Sequence, residues 1–111
     1  MSEQFFEKEG VVVLVLRGHL SAENLGVATS FLSKKIQEGK FRFIFDLSGV
    51  SWMGSMALGL LATAIREALS HNTRVRLVNP NPKIVGLLQD TSLLELCHVY
   101  SDINKAFESF R

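Results

Sequence analysis

Cysteine is almost absent. Cys97 is the single thiol in 111 residues, so no disulfide can form within the chain, which fits a reducing compartment. Charge of either sign is not in excess: Lys+Arg is 12 and Asp+Glu is 11, for a formal net charge of +1. Nucleic-acid binding draws most of its affinity from phosphate neutralisation and leaves a basic stripe. Here the basic residues come as short, separate groups, Lys34-Lys35 and Arg74/Arg76, and read as solvated surface charge. No apolar run approaches the roughly 20 residues that cross a bilayer. The opening residues alternate charge with aromatics and contain no apolar signal core. No nucleic-acid partner, no membrane insertion and a cytoplasmic location are the resulting expectations.

The motifs of chemistry are missing too. There is no Gly-x-Gly-x-x-Gly and no phosphate loop ending in Gly-Lys-Ser/Thr, so no nucleotide cofactor is expected. His19, His71 and His98 are far apart, and neither His-Glu-x-x-His nor Cys-x-x-Cys is present to hold zinc. No catalytic set and no metal site are expected. Cys97 and His98 are adjacent, but strand neighbours point to opposite faces and cannot act as nucleophile and base. Asp46, near the end of a central strand, is the one candidate acid or base for a small α/β enzyme. With no second acidic group close by in sequence, its simpler role is to accept hydrogen bonds from the backbone around Ser48–Ser51.

What is present is a core. Hydrophobic residues make up 47% of the chain and charged ones 21%, enough for a single domain spanning 1–111. Val11 to Leu16 reads as a strand buried on both faces, preceded by a strand at Gln4–Glu7 and a turn at Lys8-Glu9-Gly10. Ser21 is placed to cap a helix from Ala22, whose Leu25, Ala28, Phe31, Leu32 and Ile36 form one stripe and which Gly39 ends. Phe41–Leu47 is a strand, Ser48–Ser55 a loop of small residues, and Met56–Ser70 a helix.

The first half of that helix is nearly all apolar. It must be buried all round or offer surface to a partner. Arg74–Val78 is a strand, Asn81 and Pro82 open a helix to Gln89, and Cys97–Tyr100 is a last strand. Ser101 caps a final helix carrying Ile103, Ala106, Phe107 and Phe110 at i, i+3, i+4 and i+7. There is no linker, repeat or low-complexity segment. The expectation is a single small α/β domain, with a mixed, mostly parallel sheet of four to five strands and four helices.

The stretch Asp46-Leu47-Ser48-Gly49-Val50-Ser51-Trp52-Met53-Gly54-Ser55-Met56-Ala57-Leu58-Gly59 resembles the signature of STAS domains of the anti-sigma-factor antagonist type. In them, Asp-Leu-Ser-x-Val and an apolar pair lead into Asp-Ser-Ser/Thr-Gly-Leu-Gly at a helix start. Gly18-His19-Leu20-Ser21 resembles their Gly-x-Leu-Asp, and Pro82–Leu88 with Thr91-Ser92-Leu93-Leu94 resembles their third helix and following turn.

The resemblance implies a non-enzymatic, bacterial regulatory module that binds an anti-sigma factor or related Ser/Thr kinase-type regulator. Phosphorylation of the second hydroxyl residue of the motif breaks that complex. A phosphate adds about −1.5 to −2 charges, which a helix N-terminus tolerates and an apolar interface does not.

Aligned without gaps, this chain has Gly54 for the motif's Asp and Ser55 for its first Ser. Met56 takes the phosphorylated position and Ala57 that of Gly. Met56 has no hydroxyl. Ser55 is read as the helix N-cap, and as a substitute phosphoacceptor only if the register slips by one. Gly54, Ser55, Met56, Ala57 and Leu58 are the expected partner-binding residues. Alternatives are a subunit of another signalling assembly or transporter, a homodimer formed through the same apolar surface, and the Asp46 enzyme.

Overall fold

Val11 to Leu16 is buried throughout, as a mostly β-branched run with no polar alternation requires, because helices cover both faces of the sheet it enters. The computed structural model describes residues 3–111; the first two residues of the expected 1–111 span lie outside the described ones. The strands are β1 (Gln4–Lys8), β2 (Val11–Leu20), β3 (Phe43–Met53), β4 (Val75–Val78) and β5 (Cys97–Tyr100). The helices are α1 (Gly26–Gln37), α2 (Ser55–Ser70), α3 (Pro82–Asp90) and α4 (Ile103–Glu108).

The sheet order is β1-β2-β3-β4-β5. β1 runs antiparallel to β2, through a two-residue turn in which Glu9 (φ 55°) and Gly10 (φ 79°) are both left-handed, as the twist of a tight hairpin demands. The other pairings are parallel. Each parallel step moves the same way across the sheet, so crossovers of one hand put α1, α2 and α3 on one face. Ala28, Leu32, Ala57, Leu61, Ile84 and Leu88 pack there against Leu14, Phe43, Phe45 and Leu77. The opposite face, with Val11, Val13, Val15 and Ile44, is left to α4, through Ile103, Ala106 and Phe107, and to Phe110 in the turn after it. The domain is therefore α/β with a five-stranded mixed sheet, as expected.

Five local expectations are corrected. β2 does not stop at Leu16 but continues to Leu20. β3 runs through the supposed small-residue loop to Met53. The two extensions pair with each other across register irregularities at Val15/Arg17 and Gly18/His19, so backbone hydrogen bonds carry a segment whose side chains look loop-like. α1 begins at Gly26 rather than Ala22: Asn24 accepts from the Ser21 N–H (2.9 Å) and donates to the His19 carbonyl (2.7 Å), holding Ala22–Asn24 as a separate 3-10 turn.

The cap of α4 is Asp102, which accepts from the Lys105 N–H at 2.9 Å, in place of Ser101. Arg76 is not a solvated charge; it is 8% exposed. Asn81 does cap α3, accepting from the Ile84 N–H at 3.0 Å. Gly39 (φ 82°) ends α1, its N–H reaching the Ile36 carbonyl and that of Lys40 reaching Lys35.

Phe45 is 1% exposed on the three-helix face and Val27 is 70% exposed. Phe45→Ala is expected to destabilise the domain by about 3–5 kcal/mol and Val27→Ala by less than about 0.5 kcal/mol, measured by denaturant unfolding.

Candidate functional site

The C-terminal rungs of β2 and β3 build the site. Leu20 pairs with Met53, and one residue later the Gly54 N–H donates to the Leu20 carbonyl at 2.9 Å. Behind them the Asn81 side chain donates to the Val50 carbonyl at 2.8 Å, tying the start of α3 to β3. Gly54, extended at φ −81° and ψ −178°, is the N-cap of α2, and its carbonyl accepts from the Leu58 N–H at 3.0 Å. Ser55 is therefore the first helical residue and not the cap. The strand ladder holds Gly54 outside helical geometry and starts the helix one position later.

From that start the helical period decides exposure. Ala57, Leu60, Leu61, Ala64, Ile65 and Ala68 form the buried stripe. Ser55 is exposed, Gly54 and Leu58 are half-buried, and Ala57 points into the core at 2% exposure. Met56 is 56% exposed. Of the five candidate residues, four thus reach the surface around the first turn of α2, and Ala57 anchors that turn. The first-turn N–H groups have no helical partner and give this end partial positive charge. Beside Met56, a groove of about 340 Å³ between α1 and α2 has Leu32 and Leu60 in its lining and hydroxyls from Thr29, Ser33, Ser55 and Thr63.

Trp52 belongs to the same surface, and the sequence reading passed over it. Its side chain is 40% exposed. It meets His19 edge-on at 4.6 Å between ring centroids and helps to line a cavity of about 310 Å³ with Pro82, Ile84 and Leu87. A Cβ at Gly54 would lie 2.8 Å from Trp52 Cζ3 and 3.4 Å from the Leu20 carbonyl oxygen. The signal was available: the chain's one tryptophan stands two residues before a glycine, a spacing that lets a large ring fold over bare backbone.

The candidates for chemistry are accounted for by packing and hydrogen bonding. Asp46 Oδ1 accepts from the Ser48 N–H (3.0 Å) and hydroxyl (2.7 Å), as the simpler reading expected. Cys97 is buried and its thiol is pushed up to about 12 by burial. His98 is exposed on the other side of its strand. His71 stacks on Phe41 at 4.5 Å. Among the described residues no three His, Cys, Asp or Glu side chains gather as a metal site, and no helix is long and apolar enough to cross a membrane.

The STAS domain family model matches residues 4–106, and the chain belongs to that family. Comparison with curated proteins gives no match. Among solved structures, it is similar to a candidate anti-sigma factor antagonist of Thermotoga maritima (24% identity, covering 96% of this chain and 92% of the other, TM-score 0.83). It is also similar to the anti-sigma factor antagonist SpoIIAA in its unphosphorylated form (23%, 99% and 96%, 0.83). The phosphorylated form of that protein, described as a Bacillus cell fate determinant, gives 23% identity, 99% and 100% coverage and a TM-score of 0.80. At these identities the likeness is one of fold.

Two outcomes test this geometry. Gly54→Ala is expected to push the Trp52 ring outward, shifting the chain's single tryptophan fluorescence to the red. It should also cost about 1–3 kcal/mol, most of which Trp52→Ala removes in a double-mutant cycle. Cys97 is expected to resist alkylation in the folded protein at neutral pH and to react fully once unfolded, followed by mass spectrometry.

Proposed function

We propose that the chain is a non-enzymatic, cytoplasmic bacterial binding module. Its partner in this reading is an anti-sigma factor or a related Ser/Thr kinase-type regulator, and the chain is held constantly in the binding state that its phosphorylatable relatives leave on modification. The observation that carries this is Met56, 56% exposed on the first turn of α2 at the position the family motif gives to the phosphorylated hydroxyl. A flexible thioether gains free energy when a partner removes it from water, and adapts to that partner's shape.

Gly54, Ser55, Met56 and Leu58 form the proposed contact, extended by Trp52, with Ala57 fixing the turn from beneath. In this reading, phosphate regulation at the helix start would act on the exposed hydroxyl of Ser55. A second reading, a subunit of another signalling assembly or a transporter, uses the same surface and is favoured by the missing hydroxyl. Pairing with a second copy there is a further outcome of binding experiments. Catalysis through Asp46 has less support, because one oxygen already serves Ser48.

With such a kinase and ATP, the intact mass of the chain is expected to stay unchanged, whereas Met56→Ser gains about one phosphate. Met56→Glu is expected to weaken partner binding by about tenfold or more while leaving the melting temperature nearly constant, since a helix N-terminus accepts negative charge. A phosphate mapped to Ser55 in the parent chain, or partner affinity unmoved by Met56→Glu, overturns the proposal.

A further inference from the structure

A guanidinium taken out of water needs an opposite charge or a full set of hydrogen bonds to offset its desolvation. Arg76 is 8% exposed, and among the described residues no carboxylate pairs with it. Its N–H groups go to neutral oxygens: Ser109 Oγ (2.8 Å), Ser109 carbonyl (3.1 Å), Thr73 Oγ1 (3.1 Å) and Arg74 carbonyl (2.6 Å). Its plane lies 3.8 Å from the centre of the Phe110 ring. These contacts engage all three of its nitrogens and leave its charge unbalanced.

The sheet register then adds more positive charge. Ile44 pairs with Arg76, and Arg76 with His98. Arg42 and Arg74 come two residues before Ile44 and Arg76 and share that face by the period of two. Arg74 spends one N–H on the Glu95 carbonyl at 2.7 Å and, among the described residues, pairs with no carboxylate. Burial first, then Arg76 and Arg74, hold the His98 imidazole below its ordinary range. Burial likewise lowers Arg76; Tyr100 opposes that shift and Arg42 adds to it.

A cavity of about 390 Å³ opens at this place, lined by Leu69, Asn72, Thr73, Arg74, Arg76 and His98. That is small-molecule size, and it lies at the N-terminal end of β4, the opposite end of the parallel sheet from Met56. We propose that this cavity binds the phosphate group of a small molecule, with the open donors of Arg74 meeting its oxygens and Arg76 supplying a fixed field from beneath. A dianion matches the summed positive charge of Arg74 and Arg76 lining one cavity better than a single carboxylate does, and the planar fork of arginine suits a phosphate's paired oxygens. Leu69 and Asn72 bring the far end of α2 to the cavity, so the helix that presents Met56 also walls the phosphate site.

The test uses the whole chain and inorganic phosphate as probe, followed by NMR of the backbone amides and of the His98 ring. Saturable shifts are expected at Thr73, Arg74 and His98, with the His98 titration moving upward because a bound dianion favours the imidazolium. Arg74→Ala, whose head group is not part of the core, is expected to weaken binding by about tenfold or more, and Arg42→Gln to weaken it less. A sugar monophosphate that competes with inorganic phosphate identifies a soluble ligand. Competition only by vesicles of anionic phospholipid overturns the small-molecule assignment. Equal shifts with chloride at matched ionic strength, or phosphate affinity unchanged in folded Arg74→Ala, overturn the site itself.

Discussion

The parallel ladder between β2 and β3 runs from Val12↔Phe43 to Leu20↔Met53, and the geometry of the functional end hangs from its last rungs. Beyond Leu16 and Leu47 the two strands leave the continuously buried part of the sheet. Small and polar side chains there interrupt the buried Leu20, Val50 and Met53, yet the rungs persist to the point where the Gly54 N–H meets the Leu20 carbonyl. That bond fixes the backbone angles of Gly54, and Gly54 fixes the first residue of α2. Since exposure along a helix follows from where it starts, one inter-strand hydrogen bond determines that Ala57 faces the core and Met56 faces water.

Exposure of Met56 is therefore a consequence of register and not of composition. A helix starting at Met56 with Ser55 as cap would have a different first turn, in which the serine hydroxyl is occupied with the backbone. With Gly54 as cap, Ser55 is released to the surface and the first-turn N–H groups have no side-chain acceptor. The end of α2 consequently combines apolar surface, a free hydroxyl and partial positive charge within three residues.

The parts legible in the sequence were those whose burial is one-sided. The stripes of α2, α3 and α4 and the unbroken run at Val11–Leu16 set the element order and the parallel sheet, because hydrophobic period reports which face is covered. The parts misread share a different cause. Ser48-Gly49 and Ser51 look like a loop because their side chains contribute little, but a ladder is held by backbone groups that composition does not report. Arg76 looks like surface charge because arginine usually is. Its burial comes from Phe110 and Ser109, thirty-three and more residues away in sequence, and no local pattern encodes that meeting. Trp52 was hidden in the same supposed loop. Met56 itself was placed from the motif alignment alone, and the register of β2 and β3 supplies its geometry.

The departures at Gly54 and Met56 are linked through Trp52. An acidic side chain at position 54, as in the family motif, would begin with a Cβ 2.8 Å from the Trp52 ring, so the ring and the acid cannot share the present arrangement. Trp52 over Gly54 replaces a carboxylate with an aromatic face, and Met56 replaces a hydroxyl with a thioether. Both changes run in one direction, from groups that hold water or accept phosphate to groups that gain by leaving water. In the proposed reading this trades a switchable contact for a more apolar one around the same helix start. In the same reading, control from within would act at Ser55, or at the other end of α2, where the arginine-lined cavity meets Leu69 and Asn72.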